Sequence, residues 1–186
     1  MKKLLIAGAV LLAAGIGARV RFVSARDTLT AQREAVADAW NAVEAALREH
    51  AEILPALQAQ IKVAPKLEAQ VQQTISEARA VLDGTRPVAE KLQAYTRLSR
   101  ETARLLLAGD EDSSLRKNRN LTVLRDELAG SDNRIRVARR KYNEALERYN
   151  ASLSVFPNNV VAAISGFSRN DAYFPTSVEL RLGPKE

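Results

Sequence analysis

From Leu4 to Ala18 the chain is an unbroken run of aliphatic residues, alanine and glycine, with Lys2 and Lys3 before it and Arg19 after it. A helix made of such a run has no polar face to offer water, so it is either held in lipid or removed as a targeting segment. Its fifteen residues would rise only about 22 Å, short of a hydrocarbon core of about 30 Å. Arg19 and Arg21, however, alternate with Val20, Phe22 and Val23. Long basic side chains snorkel to the headgroups while their apolar neighbours stay in lipid, which extends the span to about 20 residues.

Residues 1–23 therefore read as a single-pass anchor in the cell membrane. The rival is a cleaved signal peptide, since the basic start, the apolar centre and the small residues Gly15, Gly17 and Ala18 fit that pattern too. The sequence has no cysteine, so attachment of lipid to a new N-terminal cysteine is ruled out, as are disulfides and thiolate metal sites. Similar positive charge on both flanks removes the asymmetry that orients a span. The expectation is a bundle outside the cytoplasm.

The rest of the 186 residues suits one domain. Aromatic residues are 5% of the chain, and its abundant Ala, Leu, Arg and Glu favour helix over sheet. Leu29, Val36, Trp40, Val43, Leu47, Leu54, Leu57 and Ile61 recur at helical spacing, with His50 in the same series, and charged residues lie largely off that seam. Pro55 falls inside it and either kinks or breaks the helix. A second seam runs through Leu67, Val71, Ile75, Ala78 and Leu82, with Pro65 suited to its first turn. A third follows Pro87 through Val88, Leu92, Tyr95, Leu98, Thr102 and Leu106, until Gly109 to Ser114 make a polar loop.

The last and longest helix should run from Lys117 to Val155, with Leu121, Leu128, Ile135, Tyr142, Tyr149 and Phe156 in register. Gly130 weakens its middle, where Ser131 and Asp132 invite a bend, and Pro157 ends it. The fold expected is all-α: an antiparallel bundle of about four helices over residues 24–167, after an N-terminal transmembrane helix and before a tail at 168–186. The turns at Gly84 and Gly109 argue against a single coiled-coil rod.

Chemistry is sparse. His50 is the only histidine, and its place in the seam marks it as a hydrogen-bonded core residue. Glu52, Glu68 and Glu77 have no metal-ligand spacing, and neither a phosphate-cradling glycine loop nor a nucleophile elbow is present. No cofactor, metal or catalytic residue is expected. The net charge is +6, and much of the positive charge clusters at the membrane flank and over 134–148. The ordinary reading of such charge is a solvated helix face; as to partners, interspersed acids and few aromatics point away from nucleic acid and toward anionic lipid headgroups. A polar set stands out on or beside the final seam: Asn133, Arg134, Arg139, Tyr142, Asn143, Tyr149 and Asn150. Buried amides and phenols need partners, so this set either fixes helix register or presents a recognition surface. Trp40, on its own seam, is read first as packing.

Glu127-Leu128, Asn133-Arg134-Ile135 with Ala138-Arg139, Tyr142-Asn143, Tyr149-Asn150, Phe156-Pro157 and Gly166-Phe167 follow one another in an order that closely resembles the C-terminal signature of the LemA family. Upstream, the stretch from Val36 to Trp40, the Ile53-Leu54-Pro55 element and Glu77-Ala78-Arg79 look like further family elements. The loop at Gly109 to Ser114 departs from the family pattern, as does Pro65. The resemblance implies a helical bundle behind one membrane helix, and it brings no catalytic residues. The function expected is a non-catalytic scaffold or adaptor of the cell envelope that binds protein partners. Its rival is a soluble exported binder released by signal cleavage.

Overall fold

A computed structural model describes residues 2–61, 65–84, 87–111 and 118–174. The described residues hold five helices and no strand: α1 (Lys2–Gln60), α2 (Pro65–Asp83), α3 (Val88–Glu111), α4 (Arg119–Ser152) and α5 (Asn158–Ser165). The all-helical bundle read from periodicity is therefore observed. The ranking of its helices changes, because the apolar N-terminal run and the first bundle helix are one element. At 59 residues, α1 exceeds the 34 of α4.

Pro55 neither breaks nor ends α1. It has no N–H to give the carbonyl of Ala51, four residues back, and that residue is fully buried. A guanidinium nitrogen of Arg79 donates to this oxygen instead, at 3.1 Å. Gly130 does not interrupt α4 either, and Ser131 is buried within the helix rather than capping a new one. Gly109 lies inside α3, not at the head of a loop. It is a contact point: a Cβ there would come within 3.1 Å of Ile61 Cδ1. The rest of the expected loop, 112–114, and the expected helix start at Lys117 lie outside the described residues. Asn118 caps α4, its Oδ1 accepting from the backbone N–H of Asn120 at 2.9 Å and of Leu121 at 3.3 Å.

The structure groups into two units. In one, Trp40–Lys141 with the described residues from Ala172 onward, four helical segments share a core. α1 supplies Leu54 and Leu57, α2 Val71 and Ile75, α3 Leu98 and Leu105, and α4 Leu121 and Leu128. The buried face of α3 is rotated from the expected one. Leu105 is fully buried while Leu92 and Leu106 are half-buried, because the same face also encloses Lys91 and Glu101.

The other unit comprises α1 up to Ala39 with Tyr142–Asp171. Its core sets Ala25 and Leu29 of α1 against Val161 and Ala162 of α5, with Phe22, Leu153 and Phe167 packed around them. α4 ends at Ser152, earlier than Val155, and Phe156 is not a seam residue: it is 78% exposed and joined to Pro157 by a cis peptide bond. α5 closes on Gly166 in the left-handed conformation at φ 74°, which lets the Phe167 N–H reach the Ala162 carbonyl at 3.1 Å.

Candidate functional site

The polar set on α4 splits by depth. Tyr142, Tyr149 and Asn150 are buried, Arg139 and Asn143 are half-buried, and Asn133 and Arg134 are exposed. Helical geometry explains the division. The buried members share the face that carries Leu128 and Ile135, whereas Asn133 and Arg134 precede Ile135 by two residues and one and turn away from it. Arg134 makes a fork onto Glu49, at 2.7 and 3.0 Å, where both partners are about half exposed. A pair in water of that kind adds little stability.

In the unit of α4 and α5, the buried members hold the chain that follows α5. Tyr149 donates its phenol proton to the Ser168 carbonyl at 2.9 Å. Burial pushes that phenol's pKa up, against the opposing charge of Arg33, which keeps it a donor. Asn150 donates through Nδ2 to the Asn170 carbonyl at 2.6 Å and accepts from the Asn170 N–H at 3.0 Å through Oδ1. One side-chain amide thus imitates a strand partner for one residue. Arg33 lies 5.0 Å from the centre of the Phe167 ring. The first residues of the 168–186 tail are therefore fastened, and those from 175 onward lie outside the described residues.

In the four-segment unit, Phe174 gathers two of the residues singled out from the sequence. Its ring stacks on Trp40 at 6.0 Å with the planes 26° apart, and the Arg139 guanidinium lies 4.7 Å from its centre and 5.8 Å from that of Tyr95. Trp40 is half-buried rather than a full core residue, and its indole N–H donates to Glu44 Oε1 at 2.6 Å. The same oxygen receives Lys91 Nζ, while Arg48 donates to Oε2 at 3.1 Å and also reaches Asp83 at 2.9 Å. Burial alone would raise the Glu44 pKa. Hydrogen bonds from Lys91 and Trp40 and the charges of Lys91 and Arg48 outweigh it and leave the carboxyl below its ordinary value. Periodicity did not single out Phe174, Glu44 or Lys91. The signal in the sequence was Glu44 four residues after Trp40, a spacing that puts a carboxylate beside an indole N–H.

His50 sits in the core as expected, 1% exposed, with Nδ1 at 3.4 Å from Ser131 Oγ and 3.3 Å from Asp132 Oδ1. Burial lowers its pKa to about 4, so at neutral pH the ring is uncharged and the contact with Asp132 is no ion pair. Burial raises Asp132, with Arg136 opposing. A neutral ring beside a carboxyl group carries its proton on Nδ1, which leaves Nε2 an acceptor, and that nitrogen is enclosed without a partner among the described residues. Serine, histidine and aspartate do meet here, but both partners crowd one ring nitrogen. A serine nucleophile needs the nitrogen opposite the aspartate. Among the described residues no three His, Asp or Glu side chains gather as a metal site would require.

The buried tyrosines and Asn150 of α4, the Pro55 element and the α5 cap at Gly166 all fall within a stretch, residues 39–185, that matches the LemA family. The chain belongs to the LemA family. No curated protein matches it. In this LemA-family chain the two Tyr-Asn pairs do different work: Tyr149-Asn150 fastens the tail, whereas Tyr142 is enclosed at 1% exposure and Asn143 lies at the margin.

Proposed function

We propose that this LemA-family chain is a membrane-anchored helical scaffold of the cell envelope. On this reading it holds protein partners outside the cytoplasm, meets anionic headgroups through its membrane-flanking arginines, and catalyses no reaction. The observation that supports the anchor is the form of α1. Ile6 and every residue from Gly8 to Arg21 are exposed, and the first buried residue described is Ala25. One helix of the described residues is long and apolar enough to cross a membrane, and a signal sequence would meet the same test. Lipid is the cover that such an all-round apolar surface calls for.

The test is mass spectrometry of the protein purified from membranes and from the soluble exported fraction. An intact N-terminal peptide in the membrane fraction supports the anchor. A mature chain that begins beyond Ala18 and is recovered in the soluble fraction overturns it in favour of a released binder. Crosslinking in native membranes then identifies partners, and repeated recovery of the same envelope proteins is the expected result.

A further inference from the structure

The segment that joins α4 to α5 is unusual for this chain. No charged residue occurs between Arg148 and Arg169, although charged residues make up 27% of the sequence. Within it Phe156, Val160 and Ile164 recur every four residues, and they are 78%, 48% and 70% exposed. The opposite face of α5, Val161 and Ala162, is buried against Ala25 and Leu29 of α1. α5 therefore turns apolar faces toward two surroundings: one face meets protein, and the other has no protein cover among the described residues.

The place of that bare face on α1 indicates what covers it. Phe156, Pro157 and Val160 line a cleft of about 560 Å³ together with Ala18, Arg21 and Phe22. If α1 spans from Leu4 to Val23, about 30 Å, then Ala18 to Phe22 is its last turn inside the hydrocarbon boundary. Whatever shares a cleft with that turn lies at the same depth. On that span Arg21, in the same cleft, is within snorkelling reach of lipid phosphates. An uncharged, apolar stripe held at that depth matches the boundary between acyl chains and headgroups, where short interfacial elements bind by burying apolar area.

We propose that the α4–α5 corner is a second membrane contact, with Phe156 and Val160 seated among lipid at the acyl–headgroup boundary beside the anchor. The inference rests on reading α1 as a membrane span. It makes the membrane grip two-point: the span fixes position, and the corner fixes tilt and rotation about the span.

The chain has no cysteine, so single-cysteine variants can be labelled cleanly with an environment-sensitive fluorophore. The full chain is reconstituted into vesicles of phosphatidylcholine and phosphatidylglycerol, with quencher placed either high or deep on the acyl chain. Label positions are Leu12→Cys in the span, Phe156→Cys and Val160→Cys at the corner, and Val123→Cys, an exposed apolar site of the four-segment unit. Circular dichroism first establishes that each variant keeps its helix content. The expected result is quenching of Leu12→Cys by the deep quencher, blue-shifted emission and quenching of both corner positions by the shallow one, and neither at Val123→Cys. Quenching at Leu12→Cys with water-like emission at both corner positions overturns the second contact while leaving the anchor in place. Absence of quenching at Leu12→Cys overturns the span, and the assigned depth of the corner with it. Equal quenching at Val123→Cys and Phe156→Cys means general adsorption and overturns the assigned corner.

Discussion

Arg79 on α2 donates a hydrogen bond at 3.1 Å to the backbone carbonyl of Ala51 on α1, the acceptor that Pro55 deprives of its helical partner. A side chain from a neighbouring helix completes the ladder, which is why a proline is tolerated in mid-helix. Two motifs that look unrelated in sequence, Ile53-Leu54-Pro55 and Glu77-Ala78-Arg79, are thus parts of one contact.

The coupling is measurable. Arg79→Met should cost about 1 to 2 kcal/mol, because it leaves a buried carbonyl unpaired. In a Pro55→Ala background the restored N–H takes that carbonyl, and the loss should shrink by at least half. Denaturant midpoints of the four proteins give the coupling energy. A value near zero would show that Arg79 and Pro55 act independently.

Asn150 and Asn133 should behave oppositely, although both are asparagines of the same helix. Asn150→Ala removes both bonds to Asn170 from a buried site and should lower stability by about 1 to 3 kcal/mol. Proteolysis after Gly166 should quicken as well. Asn133 is exposed, so Asn133→Ala should change stability by less than about 0.5 kcal/mol. Thermal unfolding of the two variants side by side decides the matter.

His50 should make the fold acid-sensitive. Its pKa falls from 6.5 to about 4 on folding, so between those values the unfolded chain binds the proton and the folded one does not. The stability due to His50 is complete above pH 6.5 and is lost as pH falls toward 4, by roughly 3 kcal/mol over the full shift. Asp132, raised on folding, takes up its proton earlier in the folded state and opposes this over the lower part of the range. His50→Leu should therefore remove most of the loss of stability on going from about pH 6.5 to about 4.5, the remainder belonging to carboxyls held below their ordinary value, such as Glu44. An unchanged slope in that variant would refute the assignment.

Glu44 and Lys91 form a pair with 11% and 7% side-chain exposure, and removing the carboxylate strands the buried ammonium. Glu44→Gln keeps the shape but leaves the Lys91 ammonium unneutralised, at a cost of about 3 kcal/mol. Because Trp40 donates to the same carboxylate, its emission should shift too. Tryptophan fluorescence during urea unfolding reads both effects.

Two glycines, one inside α4 and one closing α5, separate propensity from geometry. Gly166 has φ 74°, and a methyl group there would touch nothing, so Gly166→Ala should destabilise by about 1 kcal/mol through backbone strain alone. Gly130 lies within α4, and a Cβ added there would meet only Arg134 Nη1, at an ordinary 3.5 Å, so Gly130→Ala should stabilise by about 0.5 to 1 kcal/mol. Calorimetry of both variants checks the signs.

Periodicity carried the helical fold because the seam residues are the buried ones: Leu29, Val43, Leu47, Leu54 and Leu57 are all at or near zero exposure. It failed where local preference was overruled by tertiary contact. Gly109 and Gly130 resemble breakers in a linear reading, but one admits Ile61 and the other lies in a helix held by its neighbours. Leu106 yielded its place to Leu105 because α3 also buries Lys91 and Glu101, which an apolar pattern counts as exposed. The polar set was visible as a group, but its division into clamp, margin and surface depends on partners such as Asn170 and Phe174. Those partners lie in a segment with no periodicity to read. The division of the core into two clusters was equally hidden, since one apolar seam on α1 feeds both.

The stacking of Phe174 on Trp40 sets an order of events during synthesis. The indole leaves the ribosome early, within the first helix, while the ring that covers it is translated only after all five. Until Phe174 is made, the indole face that it covers lacks that neighbour, and the contact is then completed by a short irregular segment and not by a helix.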